Sequence, residues 1–237
     1  MTNLPAIPPD VFNVERVRRS KSSRFNPIRN LQPERLSQYL DNFEYGDLRY
    51  AAWLWEIMER RDDTIKTVAM KRKKDAAQRP FEILTVDDSA EAQAHKKTLE
   101  YFYNNLTATH ALDRDQRGGC HLLFKQMMDA VSKKYAVHHL VFKPTSEGMT
   151  AEFWFVPLWF FENRTGKLRF LQTEANVEGI DMNEDEWLVT VGDCLMEPSS
   201  ISYMFKHLPL KDWLVYCERN GMPGFVGKTS AAKGSDQ

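Results

Sequence analysis

An α+β fold is predicted, with N-terminal helices, a mainly antiparallel β-sheet of four to five strands, and then a long C-terminal helix. Three observations predict it. Apolar residues recur at helical spacing from Pro33 to about residue 79, they alternate with period two in segments between 136 and 191, and helical spacing returns from Ile201.

Leu36, Tyr39, Leu40 and Phe43 share one helical face after Pro33, and Gly46 reads as the stop. A second helix starts near Asp47, with Leu48, Ala52, Trp55 and Met58 on its buried side. A third follows Asp62 and Asp63, carries Ile65, Val68, Ala69 and Arg72, and ends before Pro80. "PFEILTV", residues 80–86, alternates as a strand. Asp88 with Glu91 should then cap a long helix whose core face is His95, Leu99, Phe102, Tyr103 and Leu106. After Gly118 and Gly119 one more helix carries Leu123, Met127, Ala130 and Val131. Four strands follow, "AVHHLVFK", "TAEFWFVPLWFFE", "KLRFLQT" and "EWLVTV", with "NRTGK" as a hairpin turn. Near the end, Ile201, Met204, Phe205 and Leu208 form one helical pattern and Leu210, Trp213, Leu214 and Cys217 another, kinked or separated by Pro209 and capped by Gly221.

Composition narrows the function classes. The 237 residues are 42% hydrophobic and 27% charged, ordinary values for a folded soluble protein. No run approaches the roughly 20 apolar residues that span a bilayer, and the first ten residues lack the order of a signal peptide. No membrane association is expected. Cys120, Cys194 and Cys217 are far apart and read as reduced thiols. The net charge of -1 hides an asymmetry, with residues 1–80 at +5 and residues 81–237 at -6. The basic excess centres on residues 14–29, "VERVRRSKSSRFNPIR", which reads either as a solvated leader or as an arm touching nucleic acid or a neighbouring subunit.

Several local motifs invite chemistry and fail on geometry. "GMPGFVGKTS" contains Gly-Lys-Thr, but a phosphate loop needs its first glycine where Met222 stands, and Pro223 has no N–H to donate. Cys120 and His121 are adjacent on a helix, about 100° apart, and so form no nucleophile–base pair. His138 and His139 leave a strand on opposite faces, one expected toward the core and one toward solvent, and cannot share a metal. "KRKK", 71–74, suits the carbonyl end of a helix dipole facing solvent, and "NEDE", 183–186, a solvated turn. The aromatic run "FWFVPLWFF" reads as a strand buried on two sides or at a subunit interface. No catalytic, cofactor-binding or metal site is predicted.

One resemblance organises these pieces. "LKDWLVYCERNGMPGFVGKT" carries Lys211, Asp212 and Trp213, then Glu218, then Gly221, Met222 and Pro223, then Val226, Gly227 and Lys228. That order resembles the portal proteins of Mu-like bacteriophages. "NPIRNLQPERLSQYLDNFEYGDLR", the run Met58 to Asp62, "RPFEIL" and "FVPLWFFENRTGKLRF" are similar to the same family, so the likeness touches most of residues 25–229. Where the family tends toward a glycine-rich turn before the last helix, this chain has "EPSSISY". Relatives continue for roughly as far again, so the likeness is to the N-terminal half.

The resemblance implies a non-enzymatic, structural subunit of a ring of about twelve copies at the capsid vertex. It would form the channel for packaging and ejecting double-stranded DNA, touch that DNA non-specifically, and dock the terminase large subunit and the capsid and head-completion proteins. It would reside in the virion after assembly in the bacterial cytoplasm. Residues 1–32 would be a basic N-terminal arm, 33–200 a wing-like domain, 201–220 a stem-side helix and 221–237 a segment leading into the clip. Leu210, Trp213, Leu214 and Cys217 are the expected subunit-packing residues, and Lys228 faces solvent or DNA. The alternative is a nucleic-acid-binding module acting through residues 14–29.

Overall fold

A computed structural model describes residues 31–172 and 176–221. Three helices open it. α1 (Pro33–Glu44) buries Leu36, Tyr39 and Phe43, as their spacing predicts. Gly46 ends the turn with φ +89°, a left-handed conformation that favours glycine. A Cβ there would lie 2.4 Å from the Asn163 carbonyl carbon, and the Gly46 carbonyl accepts the Asn163 N–H at 2.8 Å. α2 (Arg49–Arg61) buries Ala51, Ala52, Leu54, Trp55, Ile57 and Met58. α3 (Asp63–Ala77) is capped by Asp62, whose carboxylate accepts the Ile65 N–H at 2.9 Å.

Residues 80–86 depart from expectation, since they join neither sheet. α4 (Ala90–Asn105) is capped by the Ser89 hydroxyl, which accepts the Ala92 N–H at 3.2 Å, and not by Asp88. None of its residues is buried; His95 and Leu99 of the expected core face are exposed. Phe102, Tyr103 and the following Leu106 do reach a core cluster.

A hairpin comes next that the sequence reading passes over, β1 (Thr107–His110) and β2 (Asp113–Gly118). The single helix expected after Gly119 divides at Met128 into α5 (Cys120–Met127) and α6 (Asp129–Lys133). β3 (Tyr135–Pro144) and β4 (Met149–Val156) form the long central hairpin. The strand expected over 150–162 breaks at Pro157, which has no ladder N–H to give, and a 3-10 turn (Leu158–Phe160) follows. β5 (Phe161–Glu162), β6 (Arg169–Phe170) and β7 (Ile180–Asp181) make a small antiparallel sheet with "NRTGK" in its first turn. β8 (Trp187–Val191) completes the large sheet, whose order is β2-β1-β4-β3-β8. All its pairings are antiparallel except β1 with β4.

Both faces of the large sheet are covered. The main core holds α1, α2, the small sheet and Val137, Val156 and Val189, while a second cluster holds Leu106, Ala108, Leu123, Ala151 and Phe153. This overturns the expectation for the histidine pair. His138 and His139 do leave opposite faces, but His138 packs on Phe153 and Phe155 and His139 on Trp187, so both are buried.

α7 (Met196–Asn220) starts five residues earlier than expected and runs unbroken through Pro209. Gly221 caps it as expected, at φ -74° and so without a left-handed turn, its N–H bonding the Cys217 carbonyl at 2.7 Å.

Candidate subunit-packing surface

The base of α7 is bound firmly to the body. Met196, Ser200 and Met204, four residues apart, form its buried stripe. The Trp55 indole N–H donates to the Ser200 hydroxyl at 2.6 Å, and that hydroxyl donates to the Met196 carbonyl at 2.5 Å. Ser200→Ala would leave a fully buried N–H unpaired, at a cost of about 1–3 kcal/mol. Urea unfolding of the variant checks this.

Asp62 adds a charged clasp. While capping α3 it accepts from Lys206 Nζ at 3.1 Å and lies 3.2 Å from His207 Nε2, both on α7. Burial pushes its carboxyl up, but the Ile65 amide, Lys206 and His207 outweigh that and hold it below the usual carboxylate range.

The platform under this clasp is held by a buried charge network. Lys73 of α3 pairs with Glu59 of α2 and with Asp129 of α6 at 2.7 Å. Lys133, also on α6, lies 3.0 Å from Asp129, 2.5 Å from Glu56 and 3.6 Å from Glu59. Burial opposes ionisation of Asp129, yet Lys133 and Lys73 prevail and bring it down to about 2. Burial likewise works against the Lys133 ammonium, and the three carboxylates raise it well above its ordinary value. The solvent reading of "KRKK" therefore fails at Lys73, whose ammonium is enclosed by carboxylates from two other helices. α6 in turn holds the approach to α7, through the Leu195 N–H on the Val131 carbonyl at 3.0 Å and the Gly192 N–H on the Lys134 carbonyl at 2.8 Å.

Beyond Leu208 the helix changes character. Every residue from Pro209 to Asn220 is exposed. Leu210, Trp213, Leu214 and Cys217 lie on a stripe about 100° wide, with Leu210, Trp213 and Leu214 at 45%, 61% and 63% exposure. No described part of the chain covers them. Val215 and Tyr216, which spacing alone did not single out, are exposed as well on other sides of the helix, and so is Phe205 of the preceding pattern. Lys228 and the arm 14–29 lie outside the described residues.

The remaining candidate motifs do not converge. The His121 ring points its Nδ1 at the Ala77 carbonyl, 2.5 Å away, and away from any thiol chemistry, while burial pushes the Cys120 thiol up. In "NEDE" the Asn183 amide donates to Glu186 at 3.2 Å on the surface. Among the described residues no group of three His, Cys, Asp or Glu side chains is placed to hold a metal ion. No described helix is long and apolar enough to cross a membrane.

Comparison with known proteins adds the last piece. No curated protein matches the chain. The family model described as "Portal protein of Mu bacteriophage" matches residues 52–237, from the second helix through the exposed end of α7 and beyond. With most of its length inside that match, the chain belongs to the portal protein family of Mu bacteriophage.

Proposed function

We propose that the chain acts as a structural subunit of a ring, of about twelve copies, through which double-stranded DNA passes at the capsid vertex. The single observation that supports this is the distal half of α7, a helix with an exposed apolar stripe, an anchored base and no cover from the described residues. Burying Trp213 or Leu214 against a neighbour would contribute about 1.5–3 kcal/mol each before the cost of association. Residues 33–200 then take the wing role, 201–220 the stem-side helix, and 221–237 lead into the clip, with the terminase large subunit and the capsid and head-completion proteins as docking partners.

The chemistry of the exposed half-helix suits a channel wall. Its charged residues are Lys211, Asp212, Glu218 and Arg219, two of each sign, so it offers no strong grip on phosphate. A sliding duplex requires that, because each tight cation–phosphate contact would hold it in place.

Self-association tests the reading. Sedimentation of the chain over a range of concentrations is expected to show mass rising with concentration, and Trp213→Glu with Leu214→Glu is expected to weaken that association at least tenfold. Because both side chains are exposed, the double variant should keep the parent's unfolding midpoint. A monomeric mass at every concentration, or undiminished association in the variant, would overturn it.

A further inference from the structure

Residues 80–88 hold an unusual state. Burial alternates along them: Ile83 and Thr85 are half-buried, whereas Glu82, Leu84 and Val86 are exposed, Leu84 at 77%, and the chain bends at Val86 and Asp87. Phe81 anchors the start, its ring edge-on to Tyr103 at 5.8 Å and to Phe124 at 5.5 Å. Yet among the described residues no backbone N–H or C=O between 80 and 88 makes a backbone hydrogen bond. A segment with period-two burial and no backbone partner is open to pairing by an added strand.

The surroundings indicate what pairs with it. Leu84, Val86 and Leu99 line an open cleft of about 340 Å³ between this segment and α4, together with Asp87, Glu91 and Lys96. Lys96 faces Glu100 at 3.8 Å. Glu82, Asp87, Asp88 and Glu91 are all exposed, an acidic rim to the segment and the first turn of α4. The chain carries the complement in residues 14–29, where Arg16, Arg18, Arg19, Lys21, Arg24 and Arg29 stand against Glu15 alone, interspersed with Val14, Val17, Phe25 and Ile28.

Reach is sufficient. Arg18 stands thirteen residues before Leu31, which packs on the main core. An extended chain covers ~3.3 Å per residue, or roughly 43 Å over that stretch, comparable to the diameter of roughly 40 Å for a domain of this size.

We propose that residues 82–86 are an acceptor strand for the basic segment 14–29 of the same chain, which adds to the unpaired edge and lays its arginines on the acidic rim. The contact needs the leader's charge and the acceptor's free backbone together.

Amide hydrogen exchange followed by mass spectrometry tests it. In the full chain at low salt the amides of 82–86 should exchange at least tenfold more slowly than in a chain lacking residues 1–29. The protection should fall with added salt and should not depend on protein concentration. Should the shortened chain fail to fold, Arg18→Glu with Arg19→Glu in the full chain reads out the same contact and should remove the protection. Equal exchange with and without the leader or its arginines would overturn the proposal. So would protection that appears only as concentration rises, which would assign the edge to a second copy, and so would protection of 14–29 only when duplex DNA is added.

Discussion

Lys133→Met is expected to destabilise the fold by about 3–5 kcal/mol, the usual consequence of removing one partner from a buried ion network. The ammonium is 5% exposed and is the counterion for Asp129, itself 8% exposed, so the variant leaves a carboxylate enclosed with Lys73 as its remaining cation. Such a loss is comparable to a domain's whole stability. The measurement is the urea unfolding midpoint, and a second variant gives it meaning. Lys133→Met with Asp129→Leu removes the charge as well as its partner and should recover part of the loss. If the single variant unfolds at the parent's midpoint, the network carries no structural weight. If the double is worse than the single by the full cost of a second site, the two groups are not coupled.

Acid should weaken the fold well before carboxylates titrate. Burial pushes the His138 imidazole down to about 3, from an ordinary value of 6.5, with Asp129 opposing that shift and His110 adding to it. Between those two values the unfolded chain takes up a proton that the native fold refuses, so stability falls as pH drops from about 6.5 toward 3. The slope approaches about 1.4 kcal/mol per pH unit for one such proton and is half that at pH 6.5, so moving from pH 6.5 to 4.5 should cost about 2 kcal/mol. His139, also pushed down by burial against Glu186, steepens the loss. Asp129 acts in a lower window, because its depressed carboxyl loses its stabilising effect only as pH falls from about 3.8 toward 2. His138→Leu should make the curve between pH 6.5 and 4.5 shallower by one proton's worth. A slope identical to the parent's would show that His138 is not the group responsible.

The parts of the fold that could be read from the sequence are those whose causes are local. Leu36, Tyr39 and Phe43 declare α1 by spacing, and Asp62 declares the start of α3 by capping chemistry. The hairpin around "NRTGK" follows from turn residues between two short apolar strands. β2 was invisible for a physical reason. "DRDQRG" is an exposed edge whose side chains face water, so it carries no apolar alternation, and its neighbour β1 owes its place to a parallel partner more than forty residues away.

Residues 80–86 show the complementary error, because strand propensity and alternating burial did not supply a ladder. Lys73 reads locally as one more solvated cation, since its partners Glu59 and Asp129 lie 14 and 56 residues away in sequence. At the candidate surface, spacing selected Leu210, Trp213, Leu214 and Cys217 as a stripe. That the helix leaves the body after Leu208, exposing Val215 and Tyr216 too, depends on where the core ends, which no local pattern states.

Pro209 lies where the anchored part of α7 meets the uncovered part. Lacking an amide hydrogen, it leaves the Phe205 carbonyl without its partner one turn later, so bending resistance drops at that single level instead of being shared along the rod. The outer twelve residues, roughly 18 Å long, can therefore tilt as a stiff lever about a fixed fulcrum. In the ring proposed above, small angular mismatches between neighbouring bodies would be absorbed at the proline, and the Trp213 side chain would keep its seat while the bodies shift.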